Sequence, residues 1–217
     1  MSHYTLPDYR RSALITIDTQ RDTLDGQPLE IPGTSAALPN IVKLAQAWRE
    51  AGLPVVHIVR IYQRNGSNVD LCRREAVEGG AEILLEGSEG CELAEDLLPQ
   101  RDIRFDTETL LGGGIQHIGP DEIIIYKPRW GAFFQTPLQQ WLTDQQIDTL
   151  VFAGCNYPNC PRTSIYQASE RDFRVVLAQD ALSGLYEQGQ RELQGIGVHL
   201  LQAETIVEAL KKASSAP

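Results

Sequence analysis

The residues that could carry chemistry gather between Thr149 and Ser164, which read Thr-Leu-Val-Phe-Ala-Gly-Cys-Asn-Tyr-Pro-Asn-Cys-Pro-Arg-Thr-Ser. Thr149 to Ala153 is a short apolar run of the kind that forms a buried parallel strand, and Gly154 ends it. A polar turn leads to Cys160, with Pro161 behind it and a helix-forming segment, Thr163 to Arg171, downstream. Proline suits the first helical turn, where the N–H it lacks would have had no intrahelical partner, so Pro161 places Cys160 at or beside the N-cap. Unpaired backbone N–H groups and the positive end of the helix dipole favour a thiolate there. Cys160 is therefore read as a nucleophile.

A nucleophilic thiol needs a group that takes its proton and returns it to a leaving group. Asp18 follows the apolar run Ala13 to Ile17, and Lys127 follows Glu122 to Tyr126. Taken singly, Asp18 reads equally well as a turn cap and Lys127 as a surface charge. Together with Cys160 they mark three strand ends on the edge where open α/β sheets bind ligands, and such a trio would titrate as a unit. No histidine is well placed for the base role, and His57, inside a strand, reads as a satisfied core residue.

The elements that must position these groups alternate along the chain. Strands are predicted at Ala13 to Ile17, Pro54 to Val59, Glu122 to Tyr126, Thr149 to Ala153, Phe173 to Ala178 and His199 to Gln202. Helices are predicted at Ala36 to Ala51, at Val69 to Val77, after Thr136-Pro137, at Thr163 to Arg171, around Gln188 to Gly195 and at Thr205 to Lys212, and the Pro- and Gly-rich stretch Pro28 to Pro39 reads as a loop. This order predicts an α/β class: one three-layer α/β/α domain over residues 1–217, with a mainly parallel, Rossmann-like sheet of about six strands. Residues 60–114 are too long for an ordinary connection and read as an extended loop or insertion, either a lid or a subunit contact. Within and beyond it, Arg60, Arg129 and either Arg73 or Arg74 could present a planar fork to a carboxylate, while Trp130, Phe133 and Tyr157 could wall a small pocket.

Composition narrows the classes. The chain has 217 residues, 42% hydrophobic and 22% charged, with a net charge of -10. So acidic a chain is a poor match for nucleic acid or an anionic membrane. No window approaches the ~20 apolar residues of a membrane span, and Met1 to Arg11 lacks the apolar core of a signal peptide, so the expected compartment is cytoplasmic. The four cysteines, Cys72, Cys91, Cys155 and Cys160, are then expected reduced, and their spacing from the scattered histidines fits no zinc site.

Asp18 after a first strand, Lys127 after a middle strand, and Gly154-Cys-Asn-Tyr-Pro-Asn-Cys160 followed by Arg162-Thr163-Ser164 resemble the isochorismatase-like cysteine hydrolases. That family includes nicotinamidases, N-carbamoylsarcosine amidohydrolases and ureidoacrylate amidohydrolases, and the resemblance spans nearly the whole domain. It implies Asp18 as general acid/base, Lys127 as the group that orients and charges the site, and Cys160 as the nucleophile attacking an amide or ureido carbonyl. It implies a cis peptide between Cys155 and Asn156, and an oxyanion hole from the backbone N–H groups of Asn156 and Cys160. Residues 60–70 lack the histidines of the metal-binding nicotinamidase branch, so neither a metal nor another cofactor is expected. Partners are expected to be a small-molecule substrate, bound by Arg60, Arg129, Trp130 and Tyr157, and further copies of the chain as a dimer or tetramer. The alternatives on the same fold are a vinyl-ether hydrolase of the isochorismatase type, without a covalent step, and a non-catalytic oligomeric binding protein.

Overall fold

A computed structural model describes residues 3–215. Its centre is a seven-stranded sheet: β1 (Ser12–Ile17), β2 (Val55–Val59), β3 (Ile115–Gly119), β4 (Glu122–Tyr126), β5 (Thr149–Gly154), β6 (Arg174–Leu182) and β7 (His199–Leu201). Their spatial order is β3-β4-β2-β1-β5-β6-β7. All neighbours run parallel except β3, which pairs antiparallel with β4 at the edge. The sheet thus has seven strands rather than about six. The additional one is β3, a partly buried hairpin strand just past the glycine triplet Gly112 to Gly114.

β1, β2, β4 and β5 are buried along their whole length because helices cover both faces, which is why they read as unbroken apolar runs. Leu14 and Val151 face one layer with Ile41, Leu44 and Trp48 of α1 (Thr34–Glu50) and Ile206 and Leu210 of α7 (Ala203–Ser215). Ala13, Ile15 and Ile17 face the other, with Leu138 and Leu142 of α4 (Leu138–Asp144), Ile165 of α5 (Cys160–Ser169) and Leu193 of α6 (Glu187–Gly195). α1 begins at Thr34, inside the predicted loop, and carries Pro39 within it. Proline in a helix interior costs about 3 kcal/mol, which the buried Ile41, Leu44 and Trp48 of this helix offset.

The long excursion is folded. It contains α2 (Leu71–Glu78) and α3 (Thr107–Leu111), and its first part encloses a small core of Tyr62, Val69, Val77, Ile83, Leu84 and Leu85. Asp22, just past β1, accepts from the Leu84 N–H at 2.6 Å and donates its own N–H to the Gly90 carbonyl at 2.9 Å. Bridges Gln20↔Leu93 and Tyr62↔Leu85 complete the docking. The segment therefore lies against the carboxyl ends of β1 and β2, beside the switch point where the strand order turns back on itself.

Candidate active site

Four strand ends supply the site. Asp18 follows β1, Arg60 follows β2, Lys127 follows β4, and the turn after β5 delivers Cys160. Asp18 adopts a left-handed backbone at φ 49°, a conformation that Asp tolerates better than most residues and that collects at functional positions. Its N–H donates to the Ile58 carbonyl at 2.9 Å, and its carbonyl accepts from the Cys155 thiol at 3.0 Å. Cys155 thereby fastens the β5 turn to β1, and its thiol, buried, is pushed up to about 12.

The turn itself depends on Gly154, whose φ is 122° and whose missing side chain makes room for the Ile17 carbonyl. The Cys155 N–H donates to that carbonyl at 2.9 Å, the Tyr157 N–H donates to Ser183 at 2.8 Å, and Ser183 returns a bond to Gly154 at 3.2 Å. Asn159 is the N-cap and Cys160 the first residue of α5, with Pro161 next, as the sequence predicts. The peptide between Cys155 and Asn156 is trans, correcting the cis bond implied by the family resemblance; the change of direction is taken up by Gly154 and by Asn159, at φ -113° and ψ -104°.

At the centre, Lys127 is fully buried. Its Nζ lies 2.9 Å from Asp18 Oδ2 and donates to Cys160 Sγ at 3.3 Å. Asp18 Oδ1 is buried without a partner among the described residues. Burial, reinforced by the negative charge of Asp18, pushes the Cys160 thiol up to about 11, with Lys127 and Arg60 pulling the other way. The resting sulfur is therefore protonated near neutral pH, in contrast to the thiolate expected from its place at a helix start: desolvation outweighs the dipole.

A small cavity of about 20 Å³ opens beside the sulfur. Asp18, Arg60, Arg73, Asn156 and Asn159 form its polar wall beside Cys160. Leu29, Ile31, Leu84 and Trp130 form the apolar one. The structure thus places Asp18, Lys127, Cys160, Asn156, Arg60 and Trp130 together. Arg129 lies outside, bonded to the carbonyls of Asn68 and Pro128 at 3.3 and 2.6 Å. Tyr157 is also elsewhere: it is wholly buried in the core under α6, its hydroxyl donating to the Gly189 carbonyl at 3.3 Å and its ring edge-on to Tyr186. That position corrects its assignment to the pocket wall; Gly189 has no side chain because the Tyr157 ring occupies that space. Asn159, Leu29, Ile31 and Leu84 escaped the sequence reading, since nothing local distinguishes a loop residue that faces a cavity from one that faces water.

Gln20 joins the strand ends behind the cavity. Its carboxamide accepts from the Arg60 N–H at 2.9 Å and donates to the Arg60 carbonyl at 2.8 Å and to the Cys91 carbonyl. His57 is the satisfied core histidine expected, with Thr16 Oγ1 and Glu122 Oε1 each 2.7 Å from its ring nitrogens. Among the described residues no group of three or more His, Cys, Asp or Glu side chains stands in metal-binding range. No helix among them is long and apolar enough to cross a membrane.

The sheet order and the acid, lysine and thiol at its carboxyl edge define a mainly parallel α/β protein with a half-buried thiol beside a buried lysine. The chain belongs to the isochorismatase family: the Isochorismatase domain matches residues 12–195. It is 27% identical to a protein of Arabidopsis thaliana described as a probable inactive nicotinamidase, over 88% of this chain and 91% of that one. It is also 27% identical to an N-carbamoylsarcosine amidase of an Arthrobacter species, over 79% of this chain and 59% of the amidase. Among solved structures, an isochorismatase family protein from Desulfovibrio vulgaris superposes with a TM-score of 0.78 at 27% identity, over 93% of this chain and 98% of that one. The chain is an isochorismatase-family hydrolase with amidohydrolase relatives.

Proposed function

We propose that this chain is a cysteine hydrolase that cleaves the C–N bond of a small amide, carbamoyl or ureido compound through a Cys160 thioester. The observation that supports it best is the buried Lys127 ammonium held between Asp18 Oδ2 at 2.9 Å and Cys160 Sγ at 3.3 Å, with the Asp18 carboxylate also facing the thiol. Because the resting thiol is neutral, its proton passes to Asp18 as Sγ attacks the carbonyl carbon, and Lys127 stabilises the negative sulfur as it forms. The oxygen of the tetrahedral adduct faces the N–H groups of Asn156 and Cys160, neither of which bonds to a backbone carbonyl among the described residues. Donors of this kind are worth roughly 3 to 4 kcal/mol each to the transition state.

Asp18 then gives its proton to the leaving nitrogen as the C–N bond breaks, releasing ammonia or an amine. Water enters, loses a proton to Asp18 and attacks the thioester; the C–S bond breaks and the thiol regains its proton. A panel of small amides and ureides assayed for ammonia release is the test. Cys160→Ala and Cys160→Ser should abolish turnover of any compound that reacts, and mass spectrometry should find an acyl adduct on Cys160. Undiminished ammonia release by Cys160→Ala would overturn this reading. Tolerance of that change alongside loss in Asp18→Asn would point instead to hydrolysis without a covalent step.

A further inference from the structure

The β5 turn carries a second thiol, and the steps proposed above give it no part. Cys155 is 1% exposed and grips two successive carbonyls at the end of β1: its N–H donates to Ile17 at 2.9 Å and its thiol to Asp18 at 3.0 Å. Ile17 is still strand, whereas Asp18 is left-handed at φ 49°, so the backbone changes hand between the two carbonyls that Cys155 holds. On its other side the Asp18 N–H is held by the Ile58 carbonyl of β2 at 2.9 Å. Both peptide groups that flank the Asp18 Cα are therefore pinned, and they fix the direction in which its side chain leaves the backbone. A left-handed backbone is strained for a residue with a Cβ and persists only where its surroundings hold it.

One other side chain donates near the Asp18 carbonyl among the described residues. The Thr23 hydroxyl is 3.3 Å from it but closer, at 2.7 Å, to the Gln20 carbonyl, so the thiol is the main donor. The surroundings of the Cys155 sulfur suit a permanent donor: the Thr23 and Thr34 hydroxyls stand against it, and burial keeps its proton on at neutral pH. On the hydrolase reading above, we propose that Cys155 is a positioning residue: through the Asp18 carbonyl it holds the Asp18 carboxylate at the place and angle that proton transfer from Cys160 requires. The two thiols of the turn then divide the work, Cys160 reacting and Cys155 aiming the group that takes its proton. A carboxylate displaced by a fraction of an ångström loses rate in the proton transfer and little in substrate binding.

Ammonia release from the fastest-reacting compound of the panel above supplies kcat and KM. Cys155→Ala removes the donor and should lower kcat at least 50-fold, about, with KM changed less than about 3-fold. Cys155→Ser keeps a donor and should hold kcat within about 5-fold of the unaltered chain. If Cys155→Ala does not fold, Cys155→Val, also without a donor but filling the space, carries the same comparison. Alkylation by iodoacetamide at neutral pH needs no substrate, and peptide mass spectrometry reads it at Cys160 apart from the exposed Cys72. Because the charge of Asp18 raises the Cys160 thiol, Cys155→Ala should react at least about 3-fold faster there. In an Asp18→Asn chain the same substitution should change the rate less than about 2-fold, since the residue acts through Asp18. Equal loss of kcat in the Ser and Ala variants, an unmoved alkylation rate, or a change that persists in the Asp18→Asn chain would each overturn the positioning role. The hydrolase reading would stand in all three cases as long as Cys160→Ala is inactive. The expected alkylation pattern with no ammonia from any compound would uphold the hold on Asp18 and sink the hydrolase reading instead.

Discussion

A lysine cut off from water keeps its charge only where other groups replace the lost hydration, and for Lys127 these are one carboxylate oxygen and one sulfur. Removing it strands a buried Asp18. Lys127→Met should therefore lower stability by about 3 kcal/mol or more, and adding Asp18→Asn should recover part of that, as a denaturant titration of both variants would show. The sulfur offers a second measurement. With the thiol pushed up to about 11, alkylation of Cys160 by iodoacetamide should rise about tenfold per pH unit from pH 7 and level off only near that value. Asp18→Asn removes the charge that, after burial, does most to raise the thiol, so it should react faster at neutral pH while turnover disappears. Faster alkylation with turnover intact would contradict the acid/base role of Asp18. Asp18 and Lys127 could be placed from sequence because each directly follows an apolar run, and Cys160 because Gly154 and Pro161 frame the turn that delivers it. Tyr157 could not: an aromatic in a polar turn does not reveal which way it points, and the glycine that makes room for it lies 32 residues away.

Among the elements, the β5 turn is the least tolerant of change. Gly154→Ala combines a strained φ with a collision against the Ile17 carbonyl, and should cost roughly 3 kcal/mol or more together with activity. Gly189→Ala places a methyl in the Tyr157 ring and should cost about 1 to 3 kcal/mol, read as a fall in Tm, while leaving the strand ends in place. The four central strands and most helices were legible because full burial writes itself as apolar runs and amphipathic periods. β3 was not, being partly buried with His117 exposed, and its apolar residues are too few to stand out from a loop. The 60–114 segment was visible only as an excess of length. Its role at the cavity depends on contacts such as Asp22 with Leu84, 62 residues apart, that leave no local trace.

At the scale of the whole molecule, charged groups are buried at two places in the sheet, one at the carboxyl edge and one near the amino edge, where Glu122 receives Arg49 and His57. Burial works to raise the Glu122 carboxyl, but the bonds from Arg49 and His57 prevail and hold it at about 2. Its folded value lies below its ordinary one, so its contribution is complete above about pH 4.5 and is lost as pH falls through about 2. That contribution is roughly 3 kcal/mol, and Glu122→Gln should remove most of the dependence of urea midpoint on pH in that window. Gln20 adds one more consequence. Two of its bonds clamp the Arg60 backbone to the end of β1 and a third reaches the Cys91 carbonyl, so one side chain ties β1, β2 and the 60–114 segment together. Gln20→Ala should therefore unpair three backbone groups at once and lower Tm, with turnover falling alongside because two of the strand ends that hold the site lose their tie.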